Sequence, residues 1–138
     1  MKYMQDKVFV DTNVLIYSYS ETEPDKKDMS LSILERKSIV ISTQVINEFI
    51  WVMNRKYAVN IEQLKVLADR FWQKFEVALI KEVSISKALS IVKNHNYAYW
   101  DSLILAVALE KNCSILYSED MQDGQVIEER IRIINPFK

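Results

Sequence analysis

The chain reads as an α/β sandwich built on a mainly parallel sheet, and three observations lead there. Short β-branched and aromatic runs of the fully buried type alternate with longer stretches whose apolar residues fall at helical spacing. Strands in that alternation need crossover connections, which in parallel sheets are right-handed. No repeat, low-complexity tract or interdomain linker interrupts the 138 residues, so one domain over 1–138 is expected.

Each element has its own warrant. Lys7-Val8-Phe9-Val10 is a buried-type strand that stops at Asp11, and 13–19 reads as a short helix. The polar stretch 21–28 carries Pro24, which suits the first position of a helix running to about residue 36. Ser38-Ile39-Val40-Ile41 is a second strand. From Thr43 a helix places Ile46, Phe49, Ile50, Met53 and Tyr57 on one stripe. Asn60 is placed to cap the next helix, whose stripe is Leu64, Leu67, Ala68, Phe71 and Phe75. A third strand is expected over 77–83, then a helix capped by Ser84 and running to about 94, then a loop at His95-Asn96. The helix over 99–111 has a middle, Leu103-Ile104-Leu105-Ala106-Val107-Ala108-Leu109, that is apolar on every side and so predicts burial all round. Ser114-Ile115-Leu116-Tyr117 is a fourth strand and Ile131-Arg132-Ile133-Ile134 a fifth.

Composition excludes several chemistries. With one glycine, Gly124, the chain has neither a G-x-G-x-x-G dinucleotide turn nor a Walker-type phosphate loop. One cysteine, Cys113, and one histidine, His95, cannot form a Cys/His zinc cage, a disulfide or a paired-histidine acid and base. His95 reads as a loop residue and Cys113 as a core residue, which fits a reducing compartment. The first eight residues read neither as a signal peptide nor as an anchor, and the run 103–109 is far shorter than the roughly 20 residues that cross a bilayer. A soluble, cytoplasmic protein without membrane contact is expected. The net charge of −1 argues against coating nucleic acid by bulk attraction, so any such contact is local.

In open parallel sheets ligands bind outside the carboxyl ends of the strands. Four acids fall there: Asp11 after the first strand, Glu48 in the early turns of the helix after the second, Asp101 in the first turn of the buried helix, and Asp120 just past the fourth strand. Singly, each has a plain alternative, with Asp11 as a helix cap and Asp101 as a first-turn acid favoured by the helix dipole. Because all four come from segments that begin or end at the same edge of the sheet, a common acidic pocket is expected. Asp101 shares its helix face with Ile104, Leu105 and Ala108, and Glu48 is flanked by Val45, Trp51 and Val52. Carboxylates among apolar neighbours need a counterion, and no lysine or arginine stands beside them in these motifs. A divalent cation fits, with Mg2+ or Mn2+ suiting an all-oxygen site better than zinc. Such ions take further ligands from phosphate, which makes a phosphodiester the natural substrate.

Four ordered motifs now carry a resemblance. Val8-Phe9-Val10-Asp11-Thr12-Asn13-Val14-Leu15-Ile16-Tyr17, Ser42-Thr43-Gln44-Val45-Ile46-Asn47-Glu48-Phe49, Tyr99-Trp100-Asp101-Ser102-Leu103-Ile104-Leu105-Ala106 and Leu116-Tyr117-Ser118-Glu119-Asp120-Met121-Gln122-Asp123-Gly124 resemble the motifs of PIN domains, most nearly the VapC-type toxins of bacterial toxin–antitoxin pairs. The likeness extends to the closing Ile133-Ile134-Asn135-Pro136-Phe137. It implies a three-layer sandwich with a mainly parallel central sheet flanked by helices, and a Mg2+- or Mn2+-dependent ribonuclease cleaving RNA. Its acidic motifs fall on Asp11, Glu48, Asp101 and Asp120, with Glu119 and Asp123 close enough to compete for the fourth place. Thr12, Asn13 and Ser118 match positions that orient the carboxylates by hydrogen bonds.

The same resemblance implies a homodimer and a protein antitoxin that blocks the site. Trp51, Phe71, Trp72 and Phe75 exceed what one stripe on each middle helix would bury, leaving core packing and a partner groove both open. Of Arg55-Lys56, Lys26-Lys27, Lys93 and Lys111, most are expected as solvated helix ends or faces, with some available to RNA phosphates. The alternative function is a catalytically idle PIN-like interaction module, against which four intact acidic motifs weigh. A receiver-type phosphate acceptor would want clustered acids after strand one and a lysine after a late strand, and neither is present.

Overall fold

The first apolar run becomes β1 (Lys7–Val10) because Val8, Phe9 and Val10 are stiff or broad side chains that suit a pleated, buried surface. All three are buried. The computed structural model describes residues 6–36 and 38–138, so the reading of the extreme N-terminus lies, for residues 1–5, outside the described residues. The second strand, β2 (Ile39–Ser42), is buried at every position. Successive side chains point to opposite faces, so both faces of the sheet are covered.

The helices between follow the expected order with shifted ends. α1 (Thr12–Tyr17) starts one residue earlier than predicted because Asp11 takes the cap. It also stops at Tyr17 rather than at residue 19. α2 (Pro24–Leu34) opens on Pro24, whose missing N–H costs nothing at a first position. In α3 (Thr43–Arg55) the Ser42 hydroxyl accepts from the Val45 amide at 3.3 Å, and Ile46, Phe49 and Met53 form the buried stripe. Tyr57 lies beyond the helix end and is half exposed. α4 (Ile61–Lys74) is capped as predicted, Asn60 accepting from the Gln63 amide at 2.8 Å. Phe49 and Phe71 meet edge to face at 4.9 Å, joining these two helices. Of the four aromatic residues read as surplus, Phe71 and Phe75 are core, whereas Trp51 and Trp72 face solvent.

The third strand is the largest departure from expectation. β3 is only Glu76–Ala78, not 77–83. Its apolar continuation, Leu79 and Val83, is more than half exposed, so hydrophobicity there does not mark pairing. α5 (Glu82–His95) begins two residues before Ser84. Ser84 still serves the helix start, its hydroxyl accepting from the Lys81 amide at 3.0 Å from inside the first turn. His95 closes this helix rather than standing in a loop, and Asn96 follows in the left-handed conformation at φ 59°. α6 (Tyr99–Glu110) is buried continuously from Ser102 to Leu109, as its all-round apolar middle predicts.

The chain ends in β4 (Cys113–Tyr117), β5 (Val126–Ile127) and β6 (Ile131–Ile134). β5 has no counterpart in the sequence reading, because two residues make no periodic signal. The sheet order is β3-β2-β1-β4-β6-β5, with every pairing parallel except the β5–β6 hairpin. The carboxyl ends of β1, β2 and β4, side by side, therefore share one edge. Cys113 is buried, and burial pushes its thiol up to about 12, which leaves it chemically quiet. Among the described residues no helix is long and apolar enough to cross a membrane.

The β5–β6 hairpin stores local strain. Arg130 donates its amide to the Ile127 carbonyl at 3.1 Å, and both central residues have positive φ, Glu128 at 54° and Glu129 at 57°. Such a turn favours Asn-Gly. Glu128 also pairs with Lys87 at 2.5 Å, whereas Glu129 is exposed. Glu129→Gly is expected to stabilise the fold by roughly 0.5–1 kcal/mol. A thermal melt checks this, and an unchanged or lowered midpoint contradicts it.

Candidate active site

The buried centre of the site is Asp11. It follows β1 directly, and the Val10–Tyr117 register sets it beside Ser118 at the end of β4. One carboxylate oxygen accepts from the Thr12 amide at 2.7 Å and the other from the Ser118 hydroxyl at 2.9 Å. Its own amide donates to the Tyr117 carbonyl at 2.9 Å. Asp11 thus caps α1, the plain reading of an acid at a strand end, and the capping bond leaves the carboxylate within the cluster. It is 8% exposed, and burial pushes its pKa up to about 6 against the pull of those two hydrogen bonds. The charges of Glu48 and Asp101 push in the same direction.

The other three acids come to the same edge from separate segments. Glu48 rides α3, Asp101 the first turn of α6, and Asp120 the loop after β4. Gln44 donates its side-chain amide to the Trp100 carbonyl at 3.1 Å, tying the first turns of α3 and α6 together. Asn13 donates its side-chain amide to Asp120 at 2.9 Å. Glu48 is raised by partial desolvation, then by the charges of Asp120 and Asp101, while the neighbouring Thr12 hydroxyl favours its ionised form. Asp101 is raised by burial and by Asp120. The expectation that both helix carboxylates sit among apolar groups needs correcting. Glu48 is solvent-exposed because its face of α3 turns outward with Trp51, and Asp101 is only half-buried. The desolvation cost therefore concentrates on Asp11.

Mutual repulsion without an internal cation is the electrostatic signature of the cluster. Among the described residues, no ion pair ends on Asp11, Glu48, Asp101 or Asp120. Nor do any three Asp, Glu, His or Cys side chains already stand as a closed ligand set among those residues. The Thr12 hydroxyl is buried beside Glu48, and its approach to that carboxylate is too loose for a full hydrogen bond. A hard divalent cation fits this donor chemistry: all oxygen, mostly carboxylate, with an uncompensated buried charge at the centre.

The competitors for the fourth place are already engaged. Glu119 accepts from Lys26 and from the Tyr17 hydroxyl, both at 2.7 Å. Burial pushes its carboxyl up, but these two partners outweigh burial and hold it below the usual range. Asp123 accepts from the Asn135 amide at 2.8 Å, with the Lys138 ammonium at 4.0 Å. Only Asp120 of the three adds its charge to Glu48 and Asp101. Lys26 also lies 4.6 Å from the centre of the Tyr17 ring, which meets Phe137 edge to face at 4.9 Å. The bond of Lys26 to Glu119, 93 positions away, leaves no local sequence signal. Gln44 was likewise missed, although it stands within the motif carrying Glu48. Lys111 pairs with Glu76 at 3.8 Å, away from the acids.

An α/β domain with four acids at the carboxyl edge of a mainly parallel sheet and no phosphate loop has an all-oxygen donor set of the kind that suits a hard divalent cation. The chain belongs to the PIN domain family, which matches residues 8–123 and so spans all four acids. No curated protein matches its sequence. Among solved structures it is similar to a toxin–antitoxin complex from Klebsiella pneumoniae, at 18% identity over 94% of this chain and 98% of that one, with a TM-score of 0.69. It is also similar to VapC20 of Mycobacterium tuberculosis, a toxin that cleaves the sarcin-ricin loop, at 19% identity over 83% and 90% of the two chains, with a TM-score of 0.66. A third similar structure is VapBC-1 from nontypeable Haemophilus influenzae, at 18% identity over 95% and 98%, with a TM-score of 0.65.

Proposed function

We propose that the chain is a metal-dependent endoribonuclease, the toxin of a toxin–antitoxin pair, acting as one PIN domain over 1–138. Asp11, Glu48, Asp101 and Asp120 hold Mg2+ or Mn2+ and carry the catalysis, while Thr12, Asn13 and Ser118 orient them. The observation that carries the reading is the convergence of four repelling carboxylates, one of them buried, with no cation of the protein's own among them. Family membership and the toxin–antitoxin structures it is similar to support the same reading. An antitoxin partner, a homodimer and a cytoplasmic location follow from it.

The chain's own residues do the positioning. Ser118 and the Thr12 amide fix both oxygens of Asp11, so its lone pairs do not have to be oriented when the site fills. Asn13 holds one oxygen of Asp120 and leaves the other free. Asp11, with its pKa near 6, is mostly ionised at pH 7 and loses its remaining proton as the site fills. A bound divalent cation would neutralise phosphate charge and acidify an attacking water. The absence of a second histidine is then no obstacle, because no protein nucleophile or histidine pair is required.

The test is incubation of the purified protein with structured RNAs, with Mg2+ or Mn2+ and with chelator. Metal-dependent cleavage that chelator abolishes is the expected result. Cleavage that survives chelator at full rate would sink the metal mechanism, and no cleavage under any condition would overturn the nuclease reading.

A further inference from the structure

The acidic site is bordered by exposed tryptophans that the fold has no use for. Trp100 immediately precedes Asp101 and is 66% exposed, while Trp51 is 61% exposed. On α3, Gln44, Glu48, Trp51 and Arg55 fall on one helical stripe, at i, i+4, i+7 and i+11. Gln44 touches the Trp100 backbone, so Trp100, Glu48 and Trp51 follow one another along one surface track. From Gln44 to Trp51 the track runs about 10 Å.

Neither indole is loose. Trp100 is set edge to face against Tyr99 at 5.3 Å, and Tyr99 is itself packed on the core. The Arg55 guanidinium sits 4.6 Å from the centre of the Trp51 ring, adding a positive charge at that end of the track. Preset aromatic rings with an arginine, on either side of a site that takes phosphate, suit an unpaired nucleotide strand better than a protein segment. A duplex offers no free base faces.

Resting on the nuclease reading above, we propose that Trp100 and Trp51 are stacking platforms for two unpaired bases flanking the phosphate at the acidic site. Each platform contributes roughly tenfold in affinity.

The test uses the full chain in the cleavage-silent Asp11→Asn background, with a fluorescent single-stranded oligoribonucleotide, its abasic counterpart and its duplex form. Trp100→Ala, Trp100→Leu and Trp51→Ala are each expected to weaken single-strand binding roughly tenfold. Trp100→Phe is expected to retain most of the affinity, and Trp72→Ala all of it. The abasic strand and the duplex should bind weakly and alike to every variant. Single-strand affinity unchanged in the alanine variants overturns the platforms, as does a change of oligomeric state without a change in RNA affinity. Cleavage by the unsubstituted chain is assayed alongside. Cleavage with no role for the tryptophans in binding removes the platforms and leaves the nuclease reading. Tryptophan-dependent binding with no cleavage removes the nuclease reading and leaves the platforms.

Discussion

Asp11→Asn is expected to reduce RNA cleavage by well over a hundredfold while raising the melting temperature of the metal-free protein. The first effect follows because Asp11 is the proposed ligand itself, and loss of even an outer partner of a metal site costs roughly 10–100-fold. The second follows from linkage. The Asp11 carboxyl moves from 3.8 to about 6 on folding, so the folded state binds more protons between those values. Stability from this group is therefore greatest below pH 4 and falls as pH rises toward 6, leaving a cost of about 3 kcal/mol at neutral pH. Asparagine removes the charge and can still accept from the Thr12 amide, so roughly 1–3 kcal/mol should be recovered at pH 7.5. Melts in chelator at pH 7.5 and pH 3.5 check this. The variant should lead at the higher pH and lose its lead at the lower one. Added Mn2+ should stabilise the wild type and leave the variant unmoved. A variant less stable than wild type at pH 7.5 would contradict the origin of the raised pKa.

Asp120→Asn and Glu119→Gln are expected to separate cleanly despite being neighbours. Asp120→Asn should lower cleavage by at least tenfold, with little change in stability, because it removes a carboxylate that meets the others and has no cationic partner. Glu119→Gln should lower cleavage by only a few fold and stability by about 1 kcal/mol, because its bonds to Lys26 and Tyr17 secure the loop and remain partly solvated. Lys26→Met should repeat the Glu119→Gln phenotype. Single-turnover cleavage and thermal melts on the three variants decide the matter. A Glu119→Gln enzyme as inactive as Asp120→Asn, at wild-type stability, would reassign the fourth carboxylate.

What could be read in advance followed the strength of local patterns. β1 and β2 are runs of buried β-formers, and α6 is apolar all round, so periodicity and composition located them. The placement of Asp11, Glu48 and Asp101 at one sheet edge was legible because each stands at a fixed offset from a strand end or helix start. Leu79 and Val83 misled because both are apolar and exposed, extending a three-residue strand on paper. The sequence puts the fourth acid on Asp120 with Glu119 and Asp123 competing, and the engagement of Glu119 lay beyond local reading, since it depends on Lys26 and Tyr17, 93 and 102 positions away. Burial of Glu48 was overestimated for a related reason. Its apolar neighbour Trp51 points to solvent, and helical spacing alone does not say which face a nearby element covers.

Calorimetric titration of the metal-free protein with Mn2+ tests most directly whether these carboxylates together hold a divalent cation. Saturable binding by the wild type, lost in Asp11→Asn and Asp101→Asn and kept in Glu119→Gln, is the result expected. Equal binding by the wild type and Asp11→Asn, or no binding by the wild type at all, would contradict it.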